Sequence, residues 1–204
     1  MRPKRPRTAI LAALLGCGLL TAGLSHAVPA AGQDATDTQA KIASAMSAGP
    51  AAIAQDATIL DGMLDDAGNF VVLRQGSNGW TCLPDAPGTP HLDPMCLDQT
   101  WLGWLHAIVG KTTPEKQALG LAYMLQGGSD ASNTDPFATE PAAGDEWIAS
   151  GPHVMLLQPE PIDQSVFTTD PTTGGPWIMW AGTPYEHLMM PVADGGGILA
   201  TPAP

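Results

Sequence analysis

Proline and glycine interrupt this chain so often that long regular elements have little room to form. The 204 residues include 23 glycines and 20 prolines. Proline fixes φ and removes a backbone donor, and glycine carries a high entropic cost of ordering, so both tend to end helices and strands. Short apolar runs survive between them. They predict strands near 58–63, 70–74, 80–83, 120–126, 147–149, 153–157, 176–180 and 185–192. Phe70-Val71-Val72-Leu73-Arg74 is the clearest, and Asn78-Gly79 suits a tight turn, so 70–83 reads as a β-hairpin. One segment keeps helical periodicity. Leu97, Trp101, Trp104, Leu105 and Ile108 recur at three- and four-residue spacing. They predict a helix over 94–109, with Asp93 as N-cap, Pro94 at its first position and Gly110 just past its end. Shorter helices are expected at 37–48 and 51–57, with a helical turn near 113–116. The sum is an α+β fold: a single domain, mainly antiparallel sheet, with one principal amphipathic helix.

The amino end reads as a targeting signal. Met1 to Arg7 is positively charged, Thr8 to Leu24 is nearly all apolar, and Ser25-His26-Ala27 has the small residues of a cleavage site. The expected organisation is a signal peptide over 1–27, a flexible leader over 28–40, one domain over 41–194 and a flexible tail over 195–204. Leu14-Leu15-Gly16-Cys17 resembles a lipobox and offers a second reading, in which Cys17 carries a lipid anchor. Either way the protein is expected to be periplasmic or secreted, with no membrane span once the signal is cleaved.

Charge narrows the partners. Arg2, Lys4, Arg5 and Arg7 are half of the eight basic residues, and all lie in the signal. Lys41, Arg74, Lys111 and Lys116 then face twenty carboxylates. Such a chain lacks the cations to neutralise phosphates, which excludes a dedicated nucleic-acid binder and argues against anionic membrane surfaces.

Two cysteines remain after the signal, Cys82 and Cys96. In an oxidising compartment an even pair predicts a disulfide, here between the second hairpin strand and the first helical turn. Closing a loop of this length contributes about 3 kcal/mol through chain entropy. A pair of thiolate metal ligands is the alternative.

The familiar catalytic signatures are missing: no Gly-x-Ser-x-Gly, no Gly-x-Gly-x-x-Gly, no Walker A, no His-Glu-x-x-His and no Cys-x-x-Cys-His. Two His-x-Met pairs stand out instead, His153-Val154-Met155 and His187-Leu188-Met189. Alternation on a strand places each imidazole beside a thioether, a ligand pair suited to copper. His153, Met155, His187 and Met189 are therefore candidate metal ligands, against the plainer reading that methionine and histidine simply fill the core. The expectation is that the two histidines lie on neighbouring antiparallel strands and point to one side. Tyr185 shares the face of His187 and is a candidate partner for its ring. The same three residues, His153, His187 and Tyr185, are candidate acid–base groups. Trp147, Trp177 and Trp180 are candidate walls of a ligand pocket. Ser129, His153 and Asp130 can be drawn as a triad on residue type alone. Asp130, Ser132, Asn133 and Asp135 space their oxygens as a calcium loop does, without the full EF-hand pattern.

The segments Asn78-Gly79-Trp80-Thr81-Cys82-Leu83-Pro84-Asp85, Pro94-Met95-Cys96, Ser132-Asn133-Thr134-Asp135-Pro136, Gly151-Pro152-His153-Val154-Met155 and Gly182 to Val192 are similar to those of a group of exported bacterial proteins of unknown function. The resemblance spans residues 45 to 192. It implies a single unit with two cysteines, and no activity. The leading expectation is an exported soluble domain that binds a small molecule or a cell-envelope component, with no cofactor. The alternatives are an extracytoplasmic hydrolase using His153 and His187, and a copper-handling protein using the His-x-Met pairs.

Overall fold

The computed structural model describes residues 31–192. The expected signal peptide, Cys17 and the carboxy-terminal tail lie outside the described residues. Two helices open the described chain, α1 (Ala31–Ser47) and the short α2 (Ala51–Ala54). Helix α1 starts earlier than expected, inside the segment predicted to be a structureless leader. Gly49-Pro50 ends it, as proline must.

Ten strands follow with one further helix: β1 (Thr58–Leu64), β2 (Phe70–Arg74), β3 (Thr81–Leu83), β4 (Met95–Leu97), α3 (Gln99–Val109), β5 (Gly120–Met124), β6 (Gly128–Asp130), β7 (Ile148–Ser150), β8 (His153–Leu157), β9 (Trp177–Met179) and β10 (His187–Pro191). Eight of them form one sheet in the order β2-β1-β3-β4-β5-β8-β10-β9, and β6 and β7 pair separately. Every neighbour in the large sheet is antiparallel except β1 and β3, which run parallel. The fold is α+β with a largely antiparallel sheet.

The predicted 70–83 hairpin is not formed. Strand β2 turns back on β1, through Asp65–Asn69. Asp65 drives that turn: its Oδ1 accepts from the amides of Ala67 and Asn69 at 3.0 and 2.8 Å. The Asn78-Gly79 turn instead delivers β3 to the other side of β1.

The start of the main helix is also corrected. Residues 95–97 are strand β4, paired with β3 and β5, and the N-cap is Asp98 rather than Asp93. Asp98 Oδ1 accepts from the Trp101 amide at 2.9 Å, and its Oδ2 accepts from the Leu121 amide at 2.6 Å. One carboxylate thus caps α3 and ties it to β5. Asp93 is buried in the preceding loop, where it accepts from the Ala86 amide at 2.9 Å. Gly110 closes α3 with a right-handed φ of -77°, and Lys111 takes the left-handed position at φ 53°.

The Cys82–Cys96 disulfide is present. The two residues sit directly opposite each other on β3 and β4, so the bridge joins two strands rather than strand and helix.

Two layers cover the sheet. On one side α1 and α2 pack small residues, Ala45, Ala48, Ala54 and Ala57, against Ile59 and the disulfide. Further along that side Ile162 and Phe167 cover Ile178 and Leu188. Glu186 holds the covering segment, with its carboxylate oxygens accepting from the amides of Ile162 and Gly182, both at 2.9 Å. On the other side α3 lies over methionine, tryptophan and histidine side chains.

Candidate functional site

Strand registers fix what the α3 side presents. Residues paired across antiparallel strands share a face, and alternate residues of one strand do too. Met124 stands opposite His153, Ala122 opposite Met155 and Gly120 opposite Leu157. Met155 stands opposite Met189, and His153 opposite Pro191. His187 stands opposite Met179, and Met189 opposite Trp177. One face of the sheet therefore carries both His-x-Met pairs, with Met124 and Met179 beside them.

The two histidines do lie on neighbouring antiparallel strands and on the same face. They occupy opposite ends of it, with the Met155–Met189 pair between. The offset is four residues, ~14 Å along the strands.

Helix α3 roofs part of this floor with Trp101, Trp104, Leu105 and Ile108, and Trp180 forms a wall. Ser129, Asp130 and Asp93 stand at one side. Together they line a cleft of about 240 Å³. Its lining includes Met95, Met124, Met155, Met179 and Met189 as well as His187.

His187 sits among three indoles. Its ring centroid lies 5.1 Å from Trp101, 5.6 Å from Trp104 and 5.2 Å from Trp180, edge to face in each case. Trp104 and Trp180 are stacked, 5.8 Å apart. Nδ1 of His187 donates to the backbone carbonyl of Tyr185 at 3.0 Å, and Nδ1 of His153 donates to that of Gly151 at 2.7 Å. A carbonyl only accepts, so the proton is on Nδ1 in both rings and each Nε2 presents its lone pair. Burial holds both imidazoles neutral, with pKa values lowered to about 4. At His187 the neighbouring His153 and Lys116 add to the lowering.

The Tyr185 hydroxyl does not serve His187. It donates to the Thr112 carbonyl at 2.7 Å, so Tyr185 holds the ring through its backbone oxygen instead.

Four buried polar atoms in and beside the cleft have no partner among the described residues: Nε1 of Trp101, Nε1 of Trp104, Oγ of Ser129 and Nε2 of His153. The last belongs to a ring whose edge lies close to Gly128, where an added Cβ would meet it at 3.6 Å and the Met124 methyl at 2.8 Å. Unpaired buried polar atoms are costly, and folded proteins contain few of them. Their gathering here marks a surface suited to a ligand.

The acidic side is also perturbed. Burial pushes the Asp130 carboxyl up to about 7, and the charge of Asp93 adds to the effect. Burial raises Asp93 as well, with Asp85 contributing. Trp180 has a left-handed backbone, φ 54°, which is unusual for a bulky residue. Its amide donates to the Asn133 carbonyl at 2.9 Å and its Nε1 to the Ser132 carbonyl at 2.8 Å. Those bonds hold the wall in a conformation that costs about 1–3 kcal/mol.

Of the expected pocket tryptophans, Trp180 lines the cleft. Trp177 is buried in the core of the same face. Trp147 lines a separate surface depression with Pro90, His91, Asp145 and Glu146. The drawn triad is not assembled, since Ser129 Oγ and His153 Nε2 are both unpartnered and so do not bond each other. In the loop at 130–135 the Ser132 and Asp135 oxygens serve the loop itself, while Asn133 Oδ1 is buried without a partner. Ser132 Oγ accepts from the amides of Thr134 and Asp135, and Asp135 accepts from that of Phe137. Asp130 belongs to the cleft. No group of three His, Cys, Asp or Glu side chains among the described residues is placed to hold a metal ion.

Sequence reasoning did not single out Trp101, Trp104, Asp93, Met124 or Met179 as site residues. The two tryptophans were visible as the apolar stripe of a helix, a pattern that core packing shares. Among the described residues no helix is long and apolar enough to cross a membrane. No protein-family model matches this chain, and no curated protein or solved structure matches it either.

Proposed function

We propose that this is an exported binding domain whose cleft takes a compact, largely apolar organic molecule of about one ring. The observation that carries the proposal is the set of unpartnered buried donors on a largely apolar lining, Nε1 of Trp101 and Trp104 and Oγ of Ser129. A cavity of ~150 Å³ accepts benzene. At about 240 Å³ this cleft has room for a ring and a few substituent atoms. Indole nitrogens only donate, so the ligand must offer an acceptor. Asp93 and Asp130 disfavour an anion. The disulfide and the resemblance to exported bacterial proteins support an extracytoplasmic location.

The test is calorimetric titration with phenol, indole and benzoate, followed in parallel by tryptophan fluorescence. Phenol is expected to bind and benzoate to bind much more weakly. Trp104→Phe keeps a ring and removes the donor, and should weaken phenol by about fivefold, the worth of one hydrogen bond. Indole has no acceptor to offer and should bind more weakly than phenol; equal phenol affinity in that variant, or no binding of phenol, would reject the reading.

A hydrolytic reading draws its support from the Asp93–Asp130 pair, whose raised carboxyls resemble a general acid beside its base. It lacks a nucleophile bonded to a base, and ranks second.

A further inference from the structure

We propose that the floor of the cleft is a copper(I) site built from Nε2 of His187 and the thioethers of Met179, Met189 and Met155. This goes beyond the organic-ligand reading and stands or falls separately from it.

The registers bring these four residues together. Met179 is directly across from His187 on β9. Met189 is two residues along the same strand, hence on the same face, and Met155 is directly across from Met189 on β8. All four line the cleft. The imidazole is prepared for coordination. Its Nδ1–H is committed to the Tyr185 carbonyl, which leaves Nε2 as a lone pair. This is the outer-shell bond that metal-ligating histidines characteristically make, because it fixes both tautomer and ring orientation. The ring is 2 % exposed, so its orientation is fixed by the packing around it.

Ligand softness selects the ion. Thioether sulfur with imidazole suits Cu⁺, whereas Ca²⁺ and Mg²⁺ require oxygen ligands and structural Zn²⁺ prefers thiolates. None of the four side chains carries a carboxylate or a thiol. The surrounding rings of Trp101, Trp104 and Trp180 shield the position from water and supply π faces and edges rather than competing donors. His153 stands at the far end of the same face and is not a ligand of this ion. That exclusion makes the proposal specific.

The purified exported protein is titrated anaerobically with Cu⁺ against a chromophoric copper(I) chelator. One ion per chain is expected, held more tightly than micromolar. His187→Gln should weaken binding by about 100-fold or more, since loss of an outer-shell partner alone costs 10–100-fold. The double change Met179→Leu with Met189→Leu conserves volume, so the fold survives, and it should also abolish tight binding. His153→Gln should leave the affinity unchanged. Copper-edge X-ray absorption should show sulfur and nitrogen neighbours. The proposal is overturned if the wild-type protein binds Cu⁺ no better than His187→Gln, or if the double leucine variant, folded by circular dichroism, binds as well as wild type. Cu⁺ and phenol are titrated separately on the wild-type protein, so failure of the copper site is read apart from failure of the organic-ligand reading.

Discussion

The two faces of the sheet are built by opposite rules. The α1 side is closed by small residues. Ala45, Ala48, Ala54, Ala57, Cys82 and Cys96 are all fully buried. The fit is tight enough that a Cβ added at Gly49 would lie 3.1 Å from Cys96 Cβ. Its polar groups find partners. Arg74 donates to the carbonyls of Ala54 and Ala57 at 2.8 and 3.0 Å, so a guanidinium finishes the short helix α2. The α3 side is made of the largest residues in the chain and leaves indole, hydroxyl and imidazole atoms unpaired. Close packing needs complementarity between the chain's own surfaces. A binding face needs complementarity to something else, and its unspent hydrogen bonds show where.

The contrast can be broken in three ways. The largest expected effect is on the closed side. Cys82→Ala with Cys96→Ala should cost about 3 kcal/mol in denaturant unfolding. It should leave phenol affinity unchanged, because Asp85 and Asp93 hold the rim loop independently: Asp85 Oδ1 accepts from the Asp93 amide at 2.8 Å, and Asp93 Oδ1 from that of Ala86. Loss of binding in that variant would show that the faces are not independent.

Asp98→Ala is next. It removes both the cap of α3 and the bond to Leu121, and should cost about 1–2 kcal/mol. Here phenol binding should weaken as well, since α3 carries two of the cleft's indoles. A loss of stability without loss of affinity would detach the roof from the site.

The smallest effect is seen in pH. Asp130 titrates near 7 in the fold against 3.8 for the free side chain, so the folded state holds more protons between those values. Stability is then lost as pH rises from about 4 to about 7. The buried histidines have the opposite sign: lowered from 6.5 to about 4, they contribute stability that is lost as pH falls through that window. Asp130→Asn should therefore gain about 1 kcal/mol at pH 8, discounted because the residue as a whole is only half-buried, and gain nothing at pH 4. Thermal melts at the two pH values measure it, and equal shifts at both would remove Asp130 from the buried acid pair.

Most strands were legible because proline and glycine bracket them and alternation marks their faces. Alternation placed each histidine beside its methionine, and the β8–β10 register puts the two pairs on one face, as expected. The pairing of β2 was not legible, since two turn signals flank it and only the third dimension chooses between them. Strand β4 hid inside a helical pattern because Pro94-Met95-Cys96 continues the apolar spacing of α3. The tertiary choice went to the strand, where Cys96 meets Cys82. Strand β6 was hidden by polarity: Gly128-Ser129-Asp130 has no apolar residue to signal burial. The cleft itself combines residues from both halves of the chain, and spacing in sequence carries no trace of such an assembly.

The bonds that complete the cleft span long stretches of chain. Trp180 reaches Ser132 across 48 residues, and the Tyr185 hydroxyl reaches Thr112 across 73. The disulfide on the closed side spans 14. Loop closure costs more entropy as the loop lengthens, and non-local contacts slow folding. The closed side has long bonds of its own, since the Leu125 amide donates to the Ala48 carbonyl, but only the cleft depends on the last strands of the described chain, β9 and β10, which extend the sheet from the β8 edge. A nascent chain halted before Trp177 would own the scaffold but no cleft.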